Sequence, residues 1–129
     1  MFKHISYVII TASDMSRSVG FYCDKLGVPL NFQTEQWTEF QTGQTILALH
    51  GGGIPAERKP AAGRPEPQAG NCTIGFQVEN LERTFEELKS KGVTPVMPPV
   101  VREREGIKLA VIADPDGFKI TLSQPLQHK

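Results

Sequence analysis

Apolar residues recur along this chain in two rhythms, an alternation of every second residue and a helical spacing of three and four. The segment 2–11 is rich in β-branched and aromatic residues on both faces and predicts a strand. Asp14 then offers a helix N-cap, and Met15, Val19, Tyr22 and Leu26 form an apolar helical stripe that Gly27 ends. Strands are expected over 28–33, 37–41 and 45–50, the last two joined by a turn at Thr42-Gly43-Gln44. The pattern breaks at 51–70, where Gly51-Gly52-Gly53 and four prolines read as a linker or long loop. It then restarts. A strand is predicted over 73–78, an N-cap at Asn80, a helix carrying Leu81, Phe85 and Leu88, and a stop at Gly92. Four strand candidates follow, over 93–96, near 100–104, over 108–113 and over 119–123.

The restart is an internal repeat. Asp14-Met15-Ser16-Arg17 corresponds to Asn80-Leu81-Glu82-Arg83, and the same offset pairs Tyr7 with Thr73 and Val8 with Ile74. Each half is one βαβββ unit that cannot bury its sheet alone. The expected organisation is α+β: repeat one over 2–50, the linker at 51–70, repeat two over 71–123 and a tail at 124–129. Two curved sheets around a cleft place function in that cleft.

Composition narrows the classes. A chain of 129 residues, 39% hydrophobic and 22% charged, suits one soluble domain. Fourteen basic residues balance fourteen acidic ones, so no basic stripe is available for nucleic acid or anionic lipid. With no apolar run of bilayer length and no signal-like start, no membrane association and a cytoplasmic location are expected. Cys23 and Cys72 are too few for a disulfide scaffold and read as structural or incidental thiols, with reactive chemistry the alternative.

The βαβββ–βαβββ order, together with SDMSRSVGFYCDKLGV at 13–28 and DPDGFKI at 114–120, resembles the glyoxalase/bleomycin-resistance/dioxygenase family, also called the vicinal oxygen chelate superfamily. The likeness runs from Ser6 to about Ser123. It implies the glyoxalase/bleomycin-resistance fold and a homodimer. In the family's metalloenzymes a divalent ion sits on four strand positions, usually filled by His, Glu or Gln. The resemblance puts these seven residues before the first cap, at Tyr7; at its repeat partner Thr73; in the fourth strand, at Ala48; and four residues after the Gly of DPDG, at Thr121. Tyr, Ala, Thr and Thr are a poor donor set. No metal and no other cofactor is therefore expected, and metal-dependent glyoxalase or dioxygenase activity is disfavoured.

Other residues could contribute to the site. His4 lies an odd step from Tyr7 and should face away, whereas His50 shares the face of Ala48 as a cleft-wall contact or ligand. His128 falls in the tail. Alternation puts Ile5, Tyr7 and Ile9 in the cleft, with Thr73, Gly75 and Gln77 opposite and Lys119, Thr121 and Ser123 beside them; Val8, Ile10, Ile74, Phe76, Phe118, Ile120 and Leu122 turn to the core. Trp37 shares a face with Glu39 and Gln41 but not with Phe40. It is either a stacking wall for a flat ligand or ordinary packing. Glu39 is either a buried base or a solvated carboxylate. Arg104, in the charged run 102–105, is a solvated loop residue or a gate for an anionic ligand.

The candidate cleft set is thus Tyr7, Ile9, Trp37, Glu39, Ala48, His50, Thr73, Gln77, Arg104 and Thr121. The reading favoured is a metal-free binder of a small aromatic or amphipathic compound, of the antibiotic-resistance kind. A metal-free isomerase, cyclase or lyase, or a non-catalytic structural dimer, are the alternatives.

Overall fold

The computed structural model describes residues 1–55 and 69–126. The chain divides into two compact units, the first covering Met1–Pro55 and the second the remainder. In the first unit, strand β1 (Tyr7–Thr11) leads into helix α1 (Met15–Val19), which runs on as a π-helical segment, Gly20–Lys25. Strands β2 (Leu30–Gln33), β3 (Trp37–Thr42) and β4 (Thr45–His50) complete a four-stranded sheet in the order β1-β4-β3-β2. The second unit repeats this with β5 (Ile74–Gln77), helix α2 (Leu81–Ser90), β6 (Thr94–Arg102), β7 (Ile107–Ala113) and β8 (Lys119–Pro125), ordered β5-β8-β7-β6. In both sheets the first strand joins the last in parallel and the remaining pairs are antiparallel. This is the α+β βαβββ repeat expected.

The caps explain where the helices begin. The Asp14 carboxylate accepts the Arg17 N–H at 3.2 Å, and the Asn80 side-chain oxygen accepts the Arg83 N–H at 3.1 Å. Each satisfies one of the orphan donors of a first helical turn. Below the helices the strands bury one face. In the first unit Met15, Val19, Phe21 and Tyr22 are buried together with Ile10, Phe40, Leu47 and Leu49. The buried Thr38 hydroxyl donates to Met15 Sδ and lies within reach of the Thr34 carbonyl, each at 3.2 Å. In the second unit Leu81, Phe85 and Leu88 cover a sheet face made of Ala110, Ile112, Ile120 and Leu122.

Three expectations are corrected. Strand β1 starts at Tyr7 rather than Phe2, because β4 starts at Thr45. Ahead of β1 the Ser6 carbonyl accepts the Ile46 N–H and the Ile5 carbonyl accepts Thr45 Oγ1–H, and Phe2 is exposed. The first helix does not keep its α-helical stripe to Leu26. Its wider π-helical turn buries Phe21 beside Tyr22, with ring centroids 4.9 Å apart, and leaves Leu26 half-buried. The candidates at 93–96 and 100–104 are one strand, β6, ending at Arg102. Its prolines are tolerated because β6 is an edge strand and its register shifts between Pro95 and Met97 and again before Val100.

The glycine run after β4 is tied to the first unit. Gly51 N–H donates to the Gln36 carbonyl at 2.8 Å and Gly53 N–H to the Ala12 carbonyl at 3.0 Å. A Cβ on Gly51 would sit 2.2 Å from the Glu35 carbonyl oxygen, so only glycine fits this backbone crossing. The rest of the expected linker, 56–68, and the tail residues 127–129, including His128, lie outside the described residues.

Candidate functional site

The pairing of the strands fixes which side chains share the sheet face opposite the helix. In the first unit Tyr7 is level with Ile46, Ile9 with Ala48 and Thr11 with His50. On the other side of β4, Trp37 is level with His50, Glu39 with Ala48 and Gln41 with Ile46. Cross-strand partners point the same way. Tyr7, Ile9, Trp37, Glu39, Ala48 and His50, six of the candidate residues, therefore stand on one open face, and the Trp37 row is on the same side as Tyr7. The alternation is visible in burial: Tyr7 and Ile9 are 51% and 55% exposed, whereas Ile10 is buried.

Ala48 occupies the centre of this face. Tyr7 sits two residues to one side of it in register and Trp37 two residues to the other, yet their ring centroids are 6.5 Å apart and tilted by 58°. Ala48 itself is fully buried. The Trp37 ring also meets the His50 ring at 6.2 Å and nearly at right angles. Trp37 Nε1–H donates to Glu39 Oε2 at 2.8 Å, which anchors the carboxylate along the indole. His50 Nδ1 lies 2.7 Å from the Gly51 carbonyl oxygen. A carbonyl only accepts, so Nδ1 carries the proton, and in the neutral ring Nε2 is an acceptor. The glycine crossing thus positions a side chain of the open face.

The second unit repeats the register with different chemistry. Gly75 is level with Thr121 and Gln77 with Ser123, while Val111 and Leu109 flank them from β7. Gln77 and Thr121 are on this face; Thr73 lies just before β5 and is exposed. Arg104 is an exposed residue of the turn between β6 and β7, not of either sheet face. His4 is exposed ahead of β1, and both cysteines are free, with Cys72 exposed. The sequence pattern assigns the glycine run to a linker, and its one signal of a role at the site is three successive glycines directly after His50.

The donor chemistry at the four positions that the resemblance assigns to a divalent ion is one phenol, two hydroxyls and a methyl. Ala48 supplies no ligand atom and is sealed from solvent. Among the described residues no group of three or more His, Cys, Asp and Glu side chains is arranged to hold a metal ion. These residues do not fit the ion. DPDG has a different task. The buried Asp114 carboxylate accepts the N–H groups of Asp116 at 2.9 Å and Phe118 at 2.8 Å, and Gly117 takes a positive φ of 85°. It builds the turn into β8. Among the described residues no helix is long and apolar enough to cross a membrane.

Comparison with known proteins places this architecture. A "Probable lactoylglutathione lyase" from Synechocystis sp. is 28% identical over 130 residues, covering 95% of this chain and 96% of that protein. Among solved structures, SMU.1112c superposes with a TM-score of 0.77 at 22% identity, over 95% of this chain and 99% of the other. The genomically encoded fosfomycin resistance protein FosX from Listeria monocytogenes gives 0.73 at 16% identity, over 96% and 94%. At such identities these structures share the fold. The sequence pattern that matches residues 4–122 decides the family: this chain belongs to the Glyoxalase/Bleomycin resistance protein/Dioxygenase superfamily.

Proposed function

We propose that this protein binds a small aromatic or amphipathic compound on the open face of its first sheet, without a divalent ion. The observation that carries the reading is the pair of tilted rings, Tyr7 and Trp37, drawn to 6.5 Å over a position filled by alanine. In a metalloenzyme of this superfamily position 48 would be expected to hold a donor. Here it is a methyl group, and the Tyr7 and Trp37 rings stand in register on either side of it. Burying about 400 Å² of apolar ligand surface gives roughly 10 kcal/mol gross at ~25 cal/mol per Å². Association consumes several kcal/mol of that, and stacking adds about 0.5–1.5 kcal/mol per ring. Micromolar affinity, about −8 kcal/mol, is within reach. As part of the same proposal the protein works as a homodimer, for which sedimentation is the direct test.

A second reading, a metal-free isomerase, cyclase or lyase, is favoured by one feature. His50 Nε2 is left as an acceptor on the same face as Glu39. Recovery of bound compounds unchanged supports binding alone, and conversion that is lost in His50→Gln supports the enzyme.

Trp37 is the sole tryptophan, so its fluorescence reports directly on this face. Purified protein is titrated with a panel of planar aromatic compounds and, separately, with nickel, zinc, cobalt and manganese, while the melting temperature is followed. Saturable quenching and a raised melting temperature with aromatics, and no shift with metals, are expected. One bound ion per chain with a stabilising shift would overturn the metal-free reading.

A further inference from the structure

Resting on the reading above, we infer that the compound held on the first sheet is cationic, with an organic ammonium group seated against the Tyr7–Trp37 ring pair and beside the Glu39 carboxylate. The two rings are inclined at 58° with centroids 6.5 Å apart, tilted rather than stacked face to face, and Tyr7 is half exposed. The face of an aromatic ring carries negative potential and attracts a cation lying within about 6 Å of its centroid. A cation lying against the exposed side of this pair is within reach of two rings at once.

Glu39 adds formal charge at the same place. Its Oε2 is held by the indole N–H at 2.8 Å, which leaves Oε1 for a ligand. The strand positions sharing this face on β1, β3 and β4 include no lysine or arginine, so the carboxylate has no permanently charged basic neighbour in its own rows, where His50 is the one basic side chain. The indole N–H is already donated to Glu39 and the His50 Nδ1–H to the Gly51 carbonyl, so neither N–H is open to an anion. An anionic ligand would meet Glu39 with little to compensate it. A neutral ring would stack, but would cover the carboxylate and leave its Oε1 poorly solvated. A cation satisfies the rings and the carboxylate together.

The test uses two probes of one shape, para-hydroxyphenyl-trimethylammonium and para-tert-butylphenol, which differ by nitrogen for carbon and one charge. Affinities are read on the full chain by Trp37 fluorescence and by the NMR shift of its indole N–H. The cation is expected to bind about tenfold tighter, and Glu39→Gln, which keeps an oxygen for the indole, is expected to bring the ratio close to one. Tyr7→Leu, at a half-exposed ring outside the core, is expected to lower the ratio as well. Equal affinities in the unaltered protein, or a preference that survives Glu39→Gln, overturn the cationic inference and leave the binding function standing. Failure of both probes and of the aromatic panel overturns both.

Discussion

The two sheets share a register and differ in nearly everything placed on it. Ile9 is level with Ala48 as Gly75 is with Thr121, and Trp37 stands opposite His50 as Leu109 stands opposite Ser123. At equivalent places the first face carries phenol, indole, carboxylate and imidazole, and the second carries small, aliphatic and hydroxyl groups. The comparison separates what the fold requires from what a ligand requires. The caps, the parallel closing pair and the buried rows are present twice because each sheet needs them. The second face adds the Lys119 ammonium, but the aromatic rings with their carboxylate and imidazole are present once, so they are the part free to serve binding.

The largest expected asymmetry lies at the glycines. Gly51→Ala forces a methyl group into the Glu35 carbonyl and should lose about 3 kcal/mol in urea unfolding. Gly75→Ala, whose added Cβ meets nothing closer than 3.7 Å, should change stability by less than about 0.5 kcal/mol. Equal losses would mean that the first unit's backbone crossing is not a constraint.

Next come the turns before the last strand of each unit. Thr42 and Thr45 bracket two residues, and the Thr42 hydroxyl donates to the Thr45 carbonyl. Asp114 and Phe118 bracket three, and the Asp114 carboxylate accepts two backbone N–H groups instead. Asp114→Ala strands both donors and should cost about 2 kcal/mol. Thr42→Ala, at a tighter turn, should cost less than half as much.

The smallest difference is an ion pair found in the second unit. Lys108 Nζ lies 2.8 and 3.1 Å from the two Glu82 carboxylate oxygens; the helix position equivalent to Glu82 in the first unit is Ser16. The Lys108 hydrogen bond, followed by Glu82's own backbone N–H, holds the Glu82 carboxyl below its usual value. A lowered native pKa contributes stability above the unfolded-state value, and that contribution fades as pH falls through the native one. Lys108→Met should therefore lower the melting temperature slightly at neutral pH, and the gap should close in acid. The pair is exposed and screened, so the shift is small.

Much of this was legible in the sequence for identifiable reasons. Asp14 and Asn80 are strong local capping signals, and alternation around Tyr7, Ala48 and Thr121 predicts the register because one face of each sheet is buried. What escaped depends on neighbours far along the chain. The start of β1 depends on where β4 begins, and the tolerance of Pro98 and Pro99 within β6 depends on its being an edge strand. The π-helical turn that buries Phe21 keeps the same apolar residues as an α-helix would and changes only their phase. The ring pair over Ala48 combines residues from three strands, which no local window contains.

The parallel closure of each sheet has a consequence for how the chain acquires its structure. Strands β3 and β4, and likewise β7 and β8, meet through short turns, whereas β1 can pair only with β4, a partner more than thirty residues away along the chain. Closing a long loop costs entropy before any contact repays it. The earliest strand in each unit is therefore expected to dock last. Tyr7 reaches Trp37 only at that final step, and amide protons of β1 should exchange with solvent sooner than those of the β3–β4 hairpin.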